Sequence, residues 1–217
     1  NQKRARGRSS GLTAFFAAWV AAGVCSGAIA VVQVFAPALA DGDWIARSGL
    51  AGRAVGNMRQ PNHLATLLLW SAVAVVPMIE HGMLGRTAAR RAAALGLFSL
   101  MVLGVMLSGS RTGLVGIVLL ALWGALDGRL SRFSRAMLLA APLLCAASWG
   151  LGAWWASLHS AQAIGAATRL GEGDLSSSRF AIWRDTLDLI RAQPWLGVGF
   201  GEFNFAWSLT PFPGRPT

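Results

Sequence analysis

Five apolar stretches bounded by polar or charged residues divide the first part of the chain: roughly Leu12–Ala40, His63–Glu80, Ala92–Ser108, Thr112–Leu126 and Ala136–Leu158. A hydrocarbon core takes about 20 apolar residues as helix. The pattern therefore predicts an all-α fold, a polytopic transmembrane helix bundle with about five spans. The third and fourth stretches are short for independent spans and would suit a re-entrant pair, but the flanking charges favour two full crossings. After "GEGDLSSS", the run "RFAIWRDTLDLIRAQP" sets Phe180, Trp183, Leu187 and Ile190 on one stripe and Arg184, Asp185, Asp188 and Arg191 on the other face. That is an amphipathic helix stopped by Pro194. The expected division is a bundle over residues 1–158 and the start of a large outer loop over 159–217.

Composition agrees with the pattern. Of 217 residues, 54% are hydrophobic and 13% charged, with 10 Trp and no Tyr, which is membrane composition. Lys and Arg outnumber Asp and Glu by 19 to 9, a balance that on a soluble face would suggest nucleic acid. The basic residues lie instead in short loops between apolar runs, so no nucleic-acid partner is expected. Cys25 and Cys145 fall inside apolar segments and read as small buried hydrophobes, with no disulfide framework or metal pair. The chain starts without Met and ends at "PFPGRPT" without a closing helix, and is expected to be an internal piece of a longer membrane protein.

Positive residues in short loops stay on the cytoplasmic side. Lys3, Arg4, Arg6 and Arg8 precede the first span, Arg86, Arg90 and Arg91 separate the second and third, and Arg129, Arg132 and Arg135 separate the fourth and fifth. Five spans put all of these on one side, the inside. The segment ending in "RQPNH", the turn "SGSRTG" and the tail from His159 then face outward together.

Spans two and four start on the outer face, so their free N–H groups and positive dipole ends point there and attract anions. Gln60, Pro61, Asn62 and His63 open one, and Ser108, Gly109, Ser110 and Arg111 open the other. Arg179 stands similarly at the start of the amphipathic helix. Arginine keeps its charge where water is scarce and can grip phosphate oxygens with two N–H bonds. Each feature also has a plain structural reading: Arg111 as an interfacial anchor, Arg179 as a solvated helix residue, "QPNH" as a helix cap. "GVGFGEF" lacks the strand and helix context of a dinucleotide loop. Ser108 or Ser110 with His63 has no second base beside it to suggest a protease. His81 falls on the inner side and His159 at the outer end of span five, neither with chemistry around it.

At "GNMRQPNHLATLL", "LSGSRTGLVG" and "SSSRFAIWRDTLDLIRAQPWLGVGFGEF" the chain resembles the bacterial O-antigen ligase and O-antigen polymerase superfamily, and within it most closely the protein O-oligosaccharyltransferases. The likeness runs from about Gly56 to Phe203, and the Gln-Pro-Asn-His run is its most specific element. The resemblance implies a glycan transferase acting on the periplasmic side of the bacterial inner membrane. It would move a glycan from undecaprenyl diphosphate to an acceptor hydroxyl on protein, lipid A core or another glycan. It implies no cofactor, no nucleotide sugar and no obligatory metal. Arg111 and Arg179 match the family arginines implicated with the donor diphosphate and become the catalytic candidates. Gln60, Asn62, His63 and Ser110 become the substrate-binding candidates. The family's loop continues into a His-containing segment whose histidine assists attack by the acceptor; the chain ends before it, so this stretch alone is not expected to catalyse.

A transporter or flippase for an anionic lipid-linked glycan is the alternative. Transporters tend to place ionisable groups near the bilayer midplane. Here the polar groups cluster at span ends, which favours surface chemistry. A structural membrane protein without a substrate would leave three polar signatures on one side unexplained.

Overall fold

The computed structural model describes residues 2–159, 164–165 and 177–210, with side chains from 11 onward and, in the last segment, from 182. Eight α-helices lie among them: α1 (Gln2–Phe35), α2 (Pro61–Glu80), α3 (Ala88–Ser108), α4 (Arg111–Leu126), α5 (Arg132–Leu139), α6 (Ala141–Leu158), α7 (Ser177–Ala192) and α8 (Phe203–Leu209). No described residue is in a strand. The chain divides into two compact units, Asn1–Gly171 and Glu172–Thr217.

Three helices are long and apolar enough to cross a bilayer: the Gly11–Phe35 part of α1, α2 and α3. The bent pair α5 and α6 adds a fourth, and α4 is shorter. The departures from the expected boundaries have local causes. The first span ends at Phe35 because Pro37 restricts Ala36 and has no N–H to continue the ladder. The third reaches 21 residues because Thr87 caps it, accepting a hydrogen bond from the Arg90 N–H. The fifth is broken by 42° between α5 and α6, where Pro142 removes the N–H that would bond the Leu138 carbonyl.

At 16 residues, α4 covers about 24 Å at 1.5 Å per residue, short of a full hydrocarbon core. Its flanks settle its course. Ser110, just before α4, donates to Asn62 at the start of α2 (2.8 Å), and Ser131, beyond its end, donates its N–H to Glu80 at the end of α2 (3.1 Å). The segment from Ser110 to Ser131 thus runs from one end of α2 to the other. That path runs the length of α2 and does not double back as a re-entrant hairpin would.

The core lies among α1, α2 and α3, around Phe98, Leu64, Leu68, Met101 and Val75. Small residues let these backbones approach, as membrane helices require where lipid is as apolar as the core. Gly23 of α1 sits on Ser71 of α2. Ser71 is fully buried, with its Oγ 2.8 Å from the Trp19 carbonyl of α1.

Between α1 and α2, residues 36–60 form an ordered loop. Buried Gln33, near the end of α1, accepts from the Val55 and Gly56 N–H groups (3.0 and 2.8 Å) and donates to the Ala46 carbonyl. Asn57 accepts from Ala46 N–H (2.9 Å) and donates to the Trp44 carbonyl (2.8 Å). Asp41 Oδ1 accepts three backbone N–H bonds, from Ile45, Asp43 and Trp44, each 3.0 Å. Chiefly the Ile45 bond, against some desolvation, holds its carboxyl below the usual carboxylate range.

In the second unit, α7 confirms the expected amphipathic helix and ends at Ala192, two residues before Pro194. Trp207 of α8 donates its indole N–H to Asp185 (3.2 Å), and Arg191 pairs with Asp188 (3.0 Å). Trp183, Leu187 and Ile190 remain exposed along the apolar stripe.

Candidate functional site

The bond from Ser110 to Asn62 brings together two of the predicted residues, 48 positions apart, and sets the N-termini of α2 and α4 side by side. Ser110 is buried and caps α4, accepting from the Gly113 N–H at 3.1 Å. Its Oγ is also 2.9 Å from Thr112 Oγ1. A serine hydroxyl has one proton to give. With that proton donated to Asn62 Oδ1, Thr112 is the donor to Ser110, and the order runs from Thr112 through Ser110 to Asn62. The Asn62 amide is thereby turned with its oxygen towards Ser110. Its Nδ2 donates to no partner among the described residues, and Asn62 itself is exposed.

Gln60 and His63 flank this point. Gln60 is the residue before α2, in extended backbone, and its side chain makes no cap bond. His63 is exposed. Capping therefore does not account for the polar side chains of this run. Pro61 opens α2 and needs no N–H partner there, while the Asn62 and His63 N–H groups fall in the first turn, where a helix offers no carbonyl. Arg111 is the first residue of α4 and exposed, one position from Ser110. Arg179 is the third residue of α7, in the second unit, and its side chain lies outside the described residues. His159 stacks on Trp155 with ring centroids 4.3 Å apart.

Two residues that hold this end were not singled out from the sequence. Arg53, 7% exposed, donates from Nε and Nη2 to the Ser108 carbonyl, 3.1 Å each. The last carbonyl of α3 is thus met by a guanidinium, favourable at the negative end of the helix. Beside it the Ala54 N–H donates to the Leu107 carbonyl (2.9 Å). Gly109 then turns the chain from α3 to α4 at φ +61°. A Cβ there would lie 2.8 Å from both Arg53 Nε and the Gly165 carbonyl oxygen. Gly109→Ala is accordingly expected to destabilise the protein by roughly 1–3 kcal/mol, read as a lowered apparent Tm of the purified protein.

A groove of about 300 Å³ runs down α2 and α4, lined by Thr66, Leu69, Trp70, Val73, Leu119 and Trp123 among others. It begins one turn below Asn62, whose carbonyl accepts from Thr66 Oγ1 (2.9 Å). Its walls are almost wholly apolar. A polar, cationic junction thus stands at the head of an apolar groove at membrane depth, a division that suits an amphipathic ligand with an anionic head. Among the described residues no three His, Cys, Asp or Glu side chains gather as a metal-binding set.

Comparison with known proteins bears on the same segments. A family model described as O-antigen ligase matches residues 96–216, which contain Ser110, Arg111 and Arg179. A second, described as protein glycosylation ligase, matches residues 54–76, the start of α2 with Gln60, Asn62 and His63. No match was found among curated proteins or among solved structures. With more than half of its length covered by the first model, and an all-helical multi-pass membrane fold, this chain belongs to the O-antigen ligase family.

Proposed function

We propose that the junction of α2 and α4 binds the diphosphate and first sugars of an undecaprenyl-diphosphate-linked glycan, on the periplasmic face of a bacterial inner membrane. The glycan is transferred to an acceptor hydroxyl. The observation that carries the reading is the Ser110–Asn62 bond. It brings two helix starts side by side next to an apolar groove, with the exposed Asn62 amide on one and the exposed Arg111 on the other, which supports an anion-binding role there. The head group's negative oxygens would lie at that junction and the polyprenyl chain in the groove.

In the reaction the acceptor oxygen attacks the anomeric carbon, and the bond from that carbon to the diphosphate breaks with its electron pair going to the leaving phosphate. Arg111 would stabilise the negative charge that develops there, an effect greater in the transition state than in the bound donor. The acceptor proton passes to a general base, which the family resemblance assigns to a histidine further along the loop. The match of the protein glycosylation model to the "QPNH" region supports a protein hydroxyl as the leading acceptor.

Asn62→Asp provides the test in the full-length protein. The aspartate still accepts from Ser110, but it replaces two donors by a negative charge facing the diphosphate. Loss of a bond to a charged group is about 1.5–3 kcal/mol. Apparent donor affinity should therefore fall about 10- to 100-fold in Asn62→Asp, more than in Asn62→Ala, and more again than in Gln60→Ala. Transfer assayed against titrated lipid donor measures this. Equal affinity in wild type and Asn62→Asp would remove the diphosphate from this junction, and movement of an intact lipid-linked glycan without transfer would favour a flippase.

A further inference from the structure

A second concave site, which shares no lining residue with the α2–α4 groove, lies on the loop between α1 and α2. Gly42, Arg47, Gly49, Leu50, Val55 and Arg59 line a basin of about 550 Å³. It contains two guanidinium groups and no carboxylate in its lining. Arg47 is oriented by a bond from Nε to the Ala40 carbonyl (3.0 Å), which leaves its terminal nitrogens for another partner. Neither arginine forms an ion pair among the described residues. Of the two acids in the loop, Asp41 has one oxygen committed to three backbone N–H groups, and exposed Asp43, like Asp41, is not part of the basin's lining.

Arg59 adds a second, independent sign. Its φ is +54°, the one positive value for a residue other than glycine among the described residues. A residue with a Cβ holds that conformation at a cost, and such positions concentrate where a side chain must be aimed. The loop enforces it: the Arg59 and Gln60 N–H groups bond the Gly56 and Val55 carbonyls, both 3.2 Å, and Gln33 grips Val55 and Gly56 from α1.

The loop also carries its own indication of depth. Leu39 is 66% and Trp44 85% exposed, with Leu50 and Met58 exposed beside them. Bare aliphatic side chains and a tryptophan beside the ends of membrane spans belong at the lipid–water interface. Paired arginines at that level meet the phosphates of lipid head groups.

We infer that the Arg47–Arg59 basin is a binding site for the phosphate of an anionic phospholipid, which docks the α1–α2 loop on the bilayer surface. Phosphatidylglycerol supplies one negative charge without a compensating amine, and arginine forks match phosphate oxygens with two N–H bonds.

The test uses full-length protein in neutral detergent, with lipid adducts counted by native mass spectrometry after addition of phosphatidylglycerol or phosphatidylcholine. Wild type should hold phosphatidylglycerol at least tenfold better than phosphatidylcholine. Arg47→Gln/Arg59→Asn should lose that preference. Asparagine tolerates positive φ, so Arg59→Asn alone keeps the turn and should lose several-fold, while Arg47→Lys should retain part of the preference. Unchanged retention in the double variant overturns the site. Displacement of phosphatidylglycerol by millimolar inorganic phosphate overturns the lipid assignment, since the basin would then be reading a bare anion. Equal retention of both lipids by wild type overturns the requirement for net negative charge, and the proposal with it.

Discussion

Arg111→Ala in the full-length protein is expected to lower glycan transfer by about 10²–10³ at saturating donor, the size of effect seen when one preorganised donor to a developing anion is removed. Arg111 is the first residue of α4, directly after the capped and buried Ser110. Its backbone is therefore anchored even though its side chain is exposed. A lysine at this position keeps the charge but loses the planar fork, so Arg111→Lys should regain only part of the rate. In the proposed reaction the effect should fall on turnover more than on apparent donor affinity, because the charge on the leaving phosphate would grow as the glycosidic bond breaks. Transfer measured at several donor concentrations separates the two. Wild-type turnover in both variants would reduce Arg111 to an interfacial anchor, as the plain reading of the sequence allowed.

The helices were legible because apolar runs between polar breaks carry their own lengths, and α2, α3 and α4 end within a few residues of the expected positions. What the pattern missed was local chemistry at the ends. Thr87 lengthens α3 by a cap bond, and Pro142 bends α5 from α6, both visible only once the backbone is placed. At the site, the polar character of both helix starts was legible, but not that Ser110 and Asn62 bond one another, which depends on the parallel packing of α2 and α4. Gln33 left a signal that could have been used. A lone glutamine in "AVVQVFAPALA" must find partners inside a membrane span, and it finds four loop groups. Arg53 and Arg59 left none. Both sit in "GRAVGNMRQ" as ordinary loop arginines, yet one is buried on a carbonyl and the other is held at positive φ.

The site and its support differ in kind, and Arg53 shows how. Asn62 and Arg111 are exposed and would act on a ligand, whereas Arg53 is 7% exposed and acts on the end of α3. Its two bonds to the Ser108 carbonyl fix the last turn of α3. Ser108 Oγ in turn accepts from the Ser110 N–H (3.1 Å), which carries the constraint into the cap of α4. Arg53→Met keeps much of the volume but leaves a buried carbonyl without its charged donor, at a cost of about 1.5–3 kcal/mol. Arg53→Ala should cost more, since it also opens a cavity. Both should lower the apparent Tm and, by loosening Ser110, weaken donor binding as well. Arg53→Lys, with a donor but no fork, should fall between wild type and Arg53→Met. Thermal unfolding and donor titration on the same preparations give both readouts. If Arg53→Met matched wild type in stability and in donor affinity, the Ser108 carbonyl would have found another partner, and the position of Arg111 would not depend on the buried guanidinium.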